Sequence, residues 1–205
     1  MNLEKLRGVK ITMANNPILF TADCHFNHLN ILKYEPNSRP FADVTEMNEA
    51  IIKNWNDAVG EVATANNISV DDVIVYIVGD FFMGPIDKIK EIYDELDGRK
   101  ILIRGNHDTN ARIDEFKKID PSIEVKDIDH FQYKGKYFIV CHFPIISEEF
   151  YNMMVQDNKE IIFCYGHVHG NAPAGYHNRA YHVGVDTNGL KPVSIEEIVR
   201  ASNNE

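Results

Sequence analysis

Four short stretches of this chain gather side chains able to ligate a metal. They are Asp23-Cys24-His25, Gly79-Asp80, Gly105-Asn106-His107-Asp108 and Gly166-His167-Val168-His169, with His142 as a fifth point. Each alone is weak evidence, since an Asp after a strand is most often a cap or turn residue and a lone His takes a similar discount. Together, in this order and each at the end of an apolar run, they read as donors to cations. Carboxylate, amide and imidazole donors suit Mn, Fe, Zn, Co or Ni better than a soft thiolate site would. An aspartate can bridge two ions through its two oxygens, and a neutral asparagine ligates without adding charge. Two divalent ions bring four positive charges; Asp23 and Asp80 cancel two and a bridging hydroxide a third, leaving a centre that attracts phosphate. Glycine before Asp80, Asn106 and His167 fits tight turns at close approach.

The elements that must carry these residues follow from periodicity. Ile18-Leu19-Phe20, Val73 to Val78, Ile101-Leu102-Ile103 and Ile161-Ile162-Phe163 are apolar throughout, as strands covered on both faces are. Phe131–Tyr133 and Tyr137–Val140, joined across Lys134-Gly135-Lys136, read as a β-hairpin leading to His142. Residues 45 to 59 put Met47, Ile51, Ile52, Trp55 and Val59 on one helical face, with Asp43 or Thr45 as N-cap and Gly60 as the stop. Pro85 opens a second helix whose Ile86, Ile89, Ile92, Tyr93 and Leu96 share a face before Gly98. Residues 111 to 119 and 195 to 201 are helical, and 180 to 185 form a further strand. Residues 1–16 form an N-terminal extension, in which Val9–Met13 is a weak edge-strand pattern, and 17–205 a single domain. The plan of strand, polar loop, helix predicts an α/β fold with its ligand at the strand ends.

Composition narrows the classes. With 44% apolar and 25% charged residues in a chain of 205, the protein has an ordinary globular make-up. The longest apolar run, Val73 to Val78, is far short of the ~20 residues that span a bilayer, so no membrane partner is expected. No cationic start followed by an apolar stretch opens the chain, and three cysteines make no disulfide framework; both point to the cytoplasm. A net charge of −10 is the wrong sign for a non-specific coat on nucleic acid.

The five motifs, Asp23-x-His25, Gly79-Asp80, Gly105-Asn106-His107-Asp108, His142 and Gly166-His167-x-His169, resemble those of the calcineurin-like metallophosphoesterases. More narrowly, His25-Phe26-Asn27-His28, Arg39-Pro40-Phe41, Val183-Gly184-Val185-Asp186 and Lys191-Pro192-Val193 resemble the small bacterial and phage branch. The resemblance implies a four-layer α/β sandwich of two central mixed sheets flanked by helices. It also implies that Asp23, His25 and His169 bind one metal and Asn106, His142 and His167 a second, with Asp80 bridging. His107 would stand beside the scissile phosphate without ligating, and Asp108 would orient it. Gly79-Asp80-Phe81-Phe82 lacks the Asp-Arg-Gly continuation of the protein Ser/Thr phosphatases.

The activity so implied is hydrolysis of a small phosphorylated substrate, such as a nucleotide, by in-line attack of a metal-bridging hydroxide, with two Mn²⁺ ions favoured. A phosphodiesterase is preferred, because an alkoxide leaving group gains from an acid such as His107. A phosphomonoesterase or nucleotide pyrophosphohydrolase is the alternative, an exonuclease comes third, and a non-catalytic binding module is the non-enzyme reading. His28 reads as a phosphate contact or as a hydrogen-bond partner of a ligand. Arg39 reads as a planar clamp on phosphate or as a plain surface arginine. His177 is a loop residue, His182 packs or supports a ligand, and His130 lies on a surface strand. Cys24 points away from the face of Asp23 and His25, while Cys141 and Cys164 belong to the core.

Overall fold

In the computed structural model, residues 16–144, 161–172, 176–177 and 179–203 are described. The Val9–Met13 pattern and residues 145–160 lie outside them. Strands β1 (Ile18–Thr21), β2 (Ile74–Val78), β3 (Arg99–Ile103) and β4 (Glu124–Lys126) run parallel. The short β10 (Val193–Ser194) closes that sheet antiparallel to β1. A second mixed sheet has the order β5 (Ile128–Tyr133), β6 (Lys136–Cys141), β7 (Ile161–Tyr165), β9 (Ala180–His182), β8 (Tyr176–His177), and in it β6, β7 and β9 run parallel.

Side-chain alternation explains why the first sheet needs partners on both faces. Ile18, Phe20, Ile74, Tyr76, Val78, Ile101 and Ile103 face the second sheet and meet Phe131, Phe138, Val140, Ile162 and Cys164. Leu19, Val75, Ile77 and Leu102 face the other way, into a helical layer. That layer holds α2 (Val44–Asn66), α3 (Ile89–Tyr93) and α4 (Asn110–Ile119), while the single turn α1 (Ile31–Tyr34) adds Ile31. The last helix, α5 (Ile195–Ser202), starts at a Ser194/Glu197 capping box and sends Ile195 and Ile198 into the inter-sheet core. The expected pair of mixed sheets flanked by helices is therefore present.

Several boundaries differ from the sequence reading. Gly60 does not stop α2, which runs on to Asn66 and ends where Asn67 turns left-handed at φ 53°. The span at 86–96 is a short 3₁₀ turn, Ile86–Lys88, followed by the five residues of α3. The strand at 180–185 is only Ala180–His182, after which the chain turns into a 3₁₀ segment, Val185–Thr187. Among the described residues no helix is long and apolar enough to cross a membrane.

Five strands of the two sheets end toward one edge. β1 leads to Asp23, β2 to Asp80, β3 to Asn106, β6 to His142 and β7 to His167. The loops are laced together there by backbone hydrogen bonds from Asp23 to Gly79, His25 to Asp80 and Gly166 to His142, each 3.0 Å.

Candidate metal centre

Two groups of three donors form at this edge: Asp23, His25 and His169, and Asp80, His142 and His167. Within each group the ligating atoms all lie within 4.8 Å of one another. Asp80 stands between the groups, its Oδ2 3.8 Å from His25 Nε2 and 3.3 Å from His142 Nε2. Asn106 belongs with the second group, its Oδ1 3.0 Å from both His142 Nε2 and His167 Nδ1.

Each donor is aimed by what holds its other atoms. His142 Nδ1 is 2.8 Å from the Val78 carbonyl, which leaves Nε2 facing Asp80. His169 Nδ1 is 2.9 Å from Asp186 Oδ2, so its other nitrogen, Nε2, is the one left to ligate. Asp23 accepts the His167 amide (2.9 Å to Oδ2), and Asp80 Oδ1 accepts the His107 amide at 2.8 Å. Gly105 explains how β3 comes so near Asp80, since a Cβ there would lie 2.3 Å from Asp80 Oδ1. Gly79 holds φ +87°, and a Cβ on it would strike the His142 ring.

The electrostatics are those of a site built for cations. Asp23 and Asp80 are both buried, and His25, His142 and His182 each place Nε2 within 4.0 Å of one of their carboxylates. Burial pushes the Asp23 carboxyl up to about 7. At Asp80 burial acts the same way, but the hydrogen bond and charge of His142 outweigh it and hold the group at about 2. Burial, reinforced by His169, pushes His25 down to about 2, so its imidazole is neutral. His25 Nε2 is also buried, with no hydrogen-bond partner among the described residues. A neutral, orphaned imidazole nitrogen beside two buried carboxylates is what a divalent ion with oxygen and nitrogen donors would satisfy.

The remaining sequence candidates fall in different places. His107 is exposed, its ring 5.5 Å from that of His25, and its backbone is pinned at the amide by Asp80 and at the carbonyl by Arg112 Nη1 (2.9 Å). His28 contacts the site through its neighbour, with Nδ1 3.2 Å from His25 Nδ1. Asp108 does not orient His107: its carboxylate is buried and accepts the amides of Asp80 (2.8 Å), Gly105 (2.9 Å) and Phe81 (3.3 Å). It shapes the loops instead. Arg39 is neither a phosphate clamp nor a surface residue. It is 1% exposed, and its guanidinium points inward to Asp186 and to the carbonyls of Asp23 and Cys24.

Cys24 faces the helical core, with burial pushing its thiol up to about 12, and Cys141 and Cys164 are buried as well. His182 is buried, with Nε2 4.0 Å from Asp23 Oδ2. Asp186 touches both Arg39 and His169, and its only signal in the sequence is its place in the Val183–Asp186 stretch.

Comparison with known proteins agrees with this geometry. A family model described as calcineurin-like phosphoesterase matches residues 16–187. The protein MJ1445 of Methanocaldococcus jannaschii is 32% identical over 195 residues, 92% of each chain. The crystal structure of AQ665 from Aquifex aeolicus superposes with a TM-score of 0.66 at 27% identity, covering 91% of this chain and 99% of that one. With the family model spanning most of its length, the chain belongs to the calcineurin-like phosphoesterases, a family of metal-dependent phosphoric ester hydrolases.

Proposed function

We propose that the protein is a dinuclear phosphodiesterase acting on a small phosphorylated substrate. The observation that carries this reading is the convergence of two donor groups on Asp80. Asp23, His25 and His169 would hold one cation, Asn106, His142 and His167 the other, and Asp80 would contribute to both. What two divalent cations supply in such a site is an acidified water nucleophile and positive charge against the phosphoryl oxygens. The protein's share is to fix the donors before substrate arrives. Asp80 is held through Oδ1 by the His107 amide, and the His142 and His169 rings are each locked at Nδ1.

His107 is the proton donor to the leaving group. Its backbone is fixed at both ends, while its exposed ring is free to meet a substrate oxygen. A diester's alkoxide is a poor leaving group and gains from such an acid, which favours diesters over monoesters. The test begins with metal-depleted protein assayed on bis(4-nitrophenyl) phosphate. Activity should return with Mn²⁺ as two ions bind per chain. Activity without metal, or saturation at one ion, overturns the dinuclear reading. A rate panel of linear diesters, cyclic nucleotides, dinucleoside polyphosphates and monoesters then decides the substrate class, and faster turnover of monoesters would make the enzyme a monoesterase.

A further inference from the structure

We propose that Arg39 and Asp186 form a positioning relay that assembles the Asp23–His25–His169 donor group and reaches the second group only indirectly, through the His167 amide that Asp23 accepts. The inference rests on the reading of that trio as the ligands of one cation. Arg39 lies between α1 and α2, whereas Asp186 lies 147 residues further along the chain. Their contact is a two-pronged fork, with Arg39 Nε 2.7 Å from Asp186 Oδ1 and Nη2 2.9 Å from Oδ2. Each partner then reaches a different donor. Arg39 Nη2 donates to the Asp23 carbonyl at 2.6 Å and Nη1 to the Cys24 carbonyl at 2.9 Å. Asp186 Oδ2 holds His169 Nδ1 at 2.9 Å, and Ser38 Oγ donates to Oδ1 at 2.8 Å.

One buried guanidinium thus fixes the backbone of the first donor and, through a carboxylate, the ring of the third. The Asp23 backbone is left-handed at φ 56°, so its carbonyl needs a partner to keep that orientation. With Nδ1 engaged by a carboxylate, His169 presents Nε2 as its basic nitrogen, the arrangement that strengthens and aims an imidazole ligand. Lysine has no fork with which to bind Asp186 twice and two carbonyls besides. A buried ion pair is by itself weak evidence for stability, so retaining one here calls for a geometric reason. His142 of the second group is held by other means, through the Val78 carbonyl.

The test is Mn²⁺ titration calorimetry on metal-depleted wild type, Asp186→Asn and Arg39→Lys, with melting temperatures of the metal-free proteins measured in parallel. Asp186→Asn keeps the size of the side chain, and it carries the test if Arg39→Lys fails to fold. One of the two sites should weaken by roughly 10–100-fold in the variants, the range found for partners of metal-bound histidines. The other should stay within about threefold of wild type. The Co²⁺ spectrum should change in the bands of the weakened site alone. Unchanged affinity at both sites overturns the relay. Equal weakening of both sites with a lowered melting temperature also overturns it, because the pair would then be structural only. Wild type that takes up no metal would instead sink the proposed function itself.

Discussion

Adding one methyl group at Gly105 should disable the site from outside its donor set. A Cβ there would lie 2.3 Å from Asp80 Oδ1 and 2.5 Å from the Asp80 amide nitrogen. Ordinary contact begins near 3.4 Å, so the two loops must part by about 1 Å. Rotating the Asp80 side chain relieves only the first clash, because the second is with backbone. The cost to folding should be about 1–3 kcal/mol, as for other overpacked positions. The cost to activity should be larger, since a 1 Å misplacement is worth about 10²-fold in rate. Asp80 would also lose its 2.8 Å contact with the His107 amide. Gly60→Ala is the control, because a Cβ there meets nothing within 4 Å and the residue lies inside α2. That variant should gain about 1 kcal/mol in urea unfolding with unchanged turnover. Metal content by mass spectrometry and rates on a diester are then compared for the two alanines. Gly105→Ala with both metals and turnover near wild type would refute the claim that this close approach sets the position of Asp80.

His107→Ala should keep two metals and slow diester turnover by roughly 10²–10⁴. A substrate with a nitrophenolate leaving group should be slowed less, and equal slowing would replace proton donation with electrostatic stabilisation. Tyr76 gives a pH dependence remote from the site. Burial, assisted by Asp129, which accepts its hydroxyl at 2.8 Å, raises the phenol well above 10 in the folded state. Its contribution to stability is therefore complete below pH 10 and is lost as pH rises, by up to about 1.4 kcal/mol per unit. Tyr76→Phe should flatten the wild-type decline between pH 10 and 12 in urea titrations, and parallel curves would count against the assignment.

What the sequence made legible were features encoded within a few residues. The apolar runs of β1, β2, β3 and β7 are unmistakable because sheets covered on both faces exclude polar residues. Gly60 misleads because a helix held by the Asp43 cap and the buried Met47–Ile51–Trp55–Val59 face absorbs the ~1 kcal/mol that glycine costs. The stretch at 180–185 misleads because Val183 and Val185 are both buried, but in different cores, one between the sheets and the other under the helices. Arg39 misleads as a phosphate clamp or surface residue, since the partner that defines it is 147 residues away. Asp108 follows His107 as an orienting carboxylate would, yet the loop folds it back onto three backbone amides.

A signal that sequence does not carry ties the fold to the site. Among the described residues ten non-glycine positions have positive φ, and Asp23, His25, Asp80, His167 and His169 are half of them. Such conformations cost about 1–3 kcal/mol each and persist only where the surroundings over-determine them. Here the surroundings are identifiable. Backbone bonds from Asp23 to Gly79 and His25 to Asp80 tie the β1 loop to the β2 loop. Asp108 grips the β2 loop, Arg39 the carbonyls of Asp23 and Cys24, and Asp186 the ring of His169. An extended chain leaving β1 would carry Asp23 and His25 away from the sheet edge. The left-handed turns fold both back toward Asp80 while Cys24 between them stays in the helical core. Relaxing those turns would recover local backbone energy and disperse the donors, so the same strain that opposes folding of these loops is what brings the two donor groups together.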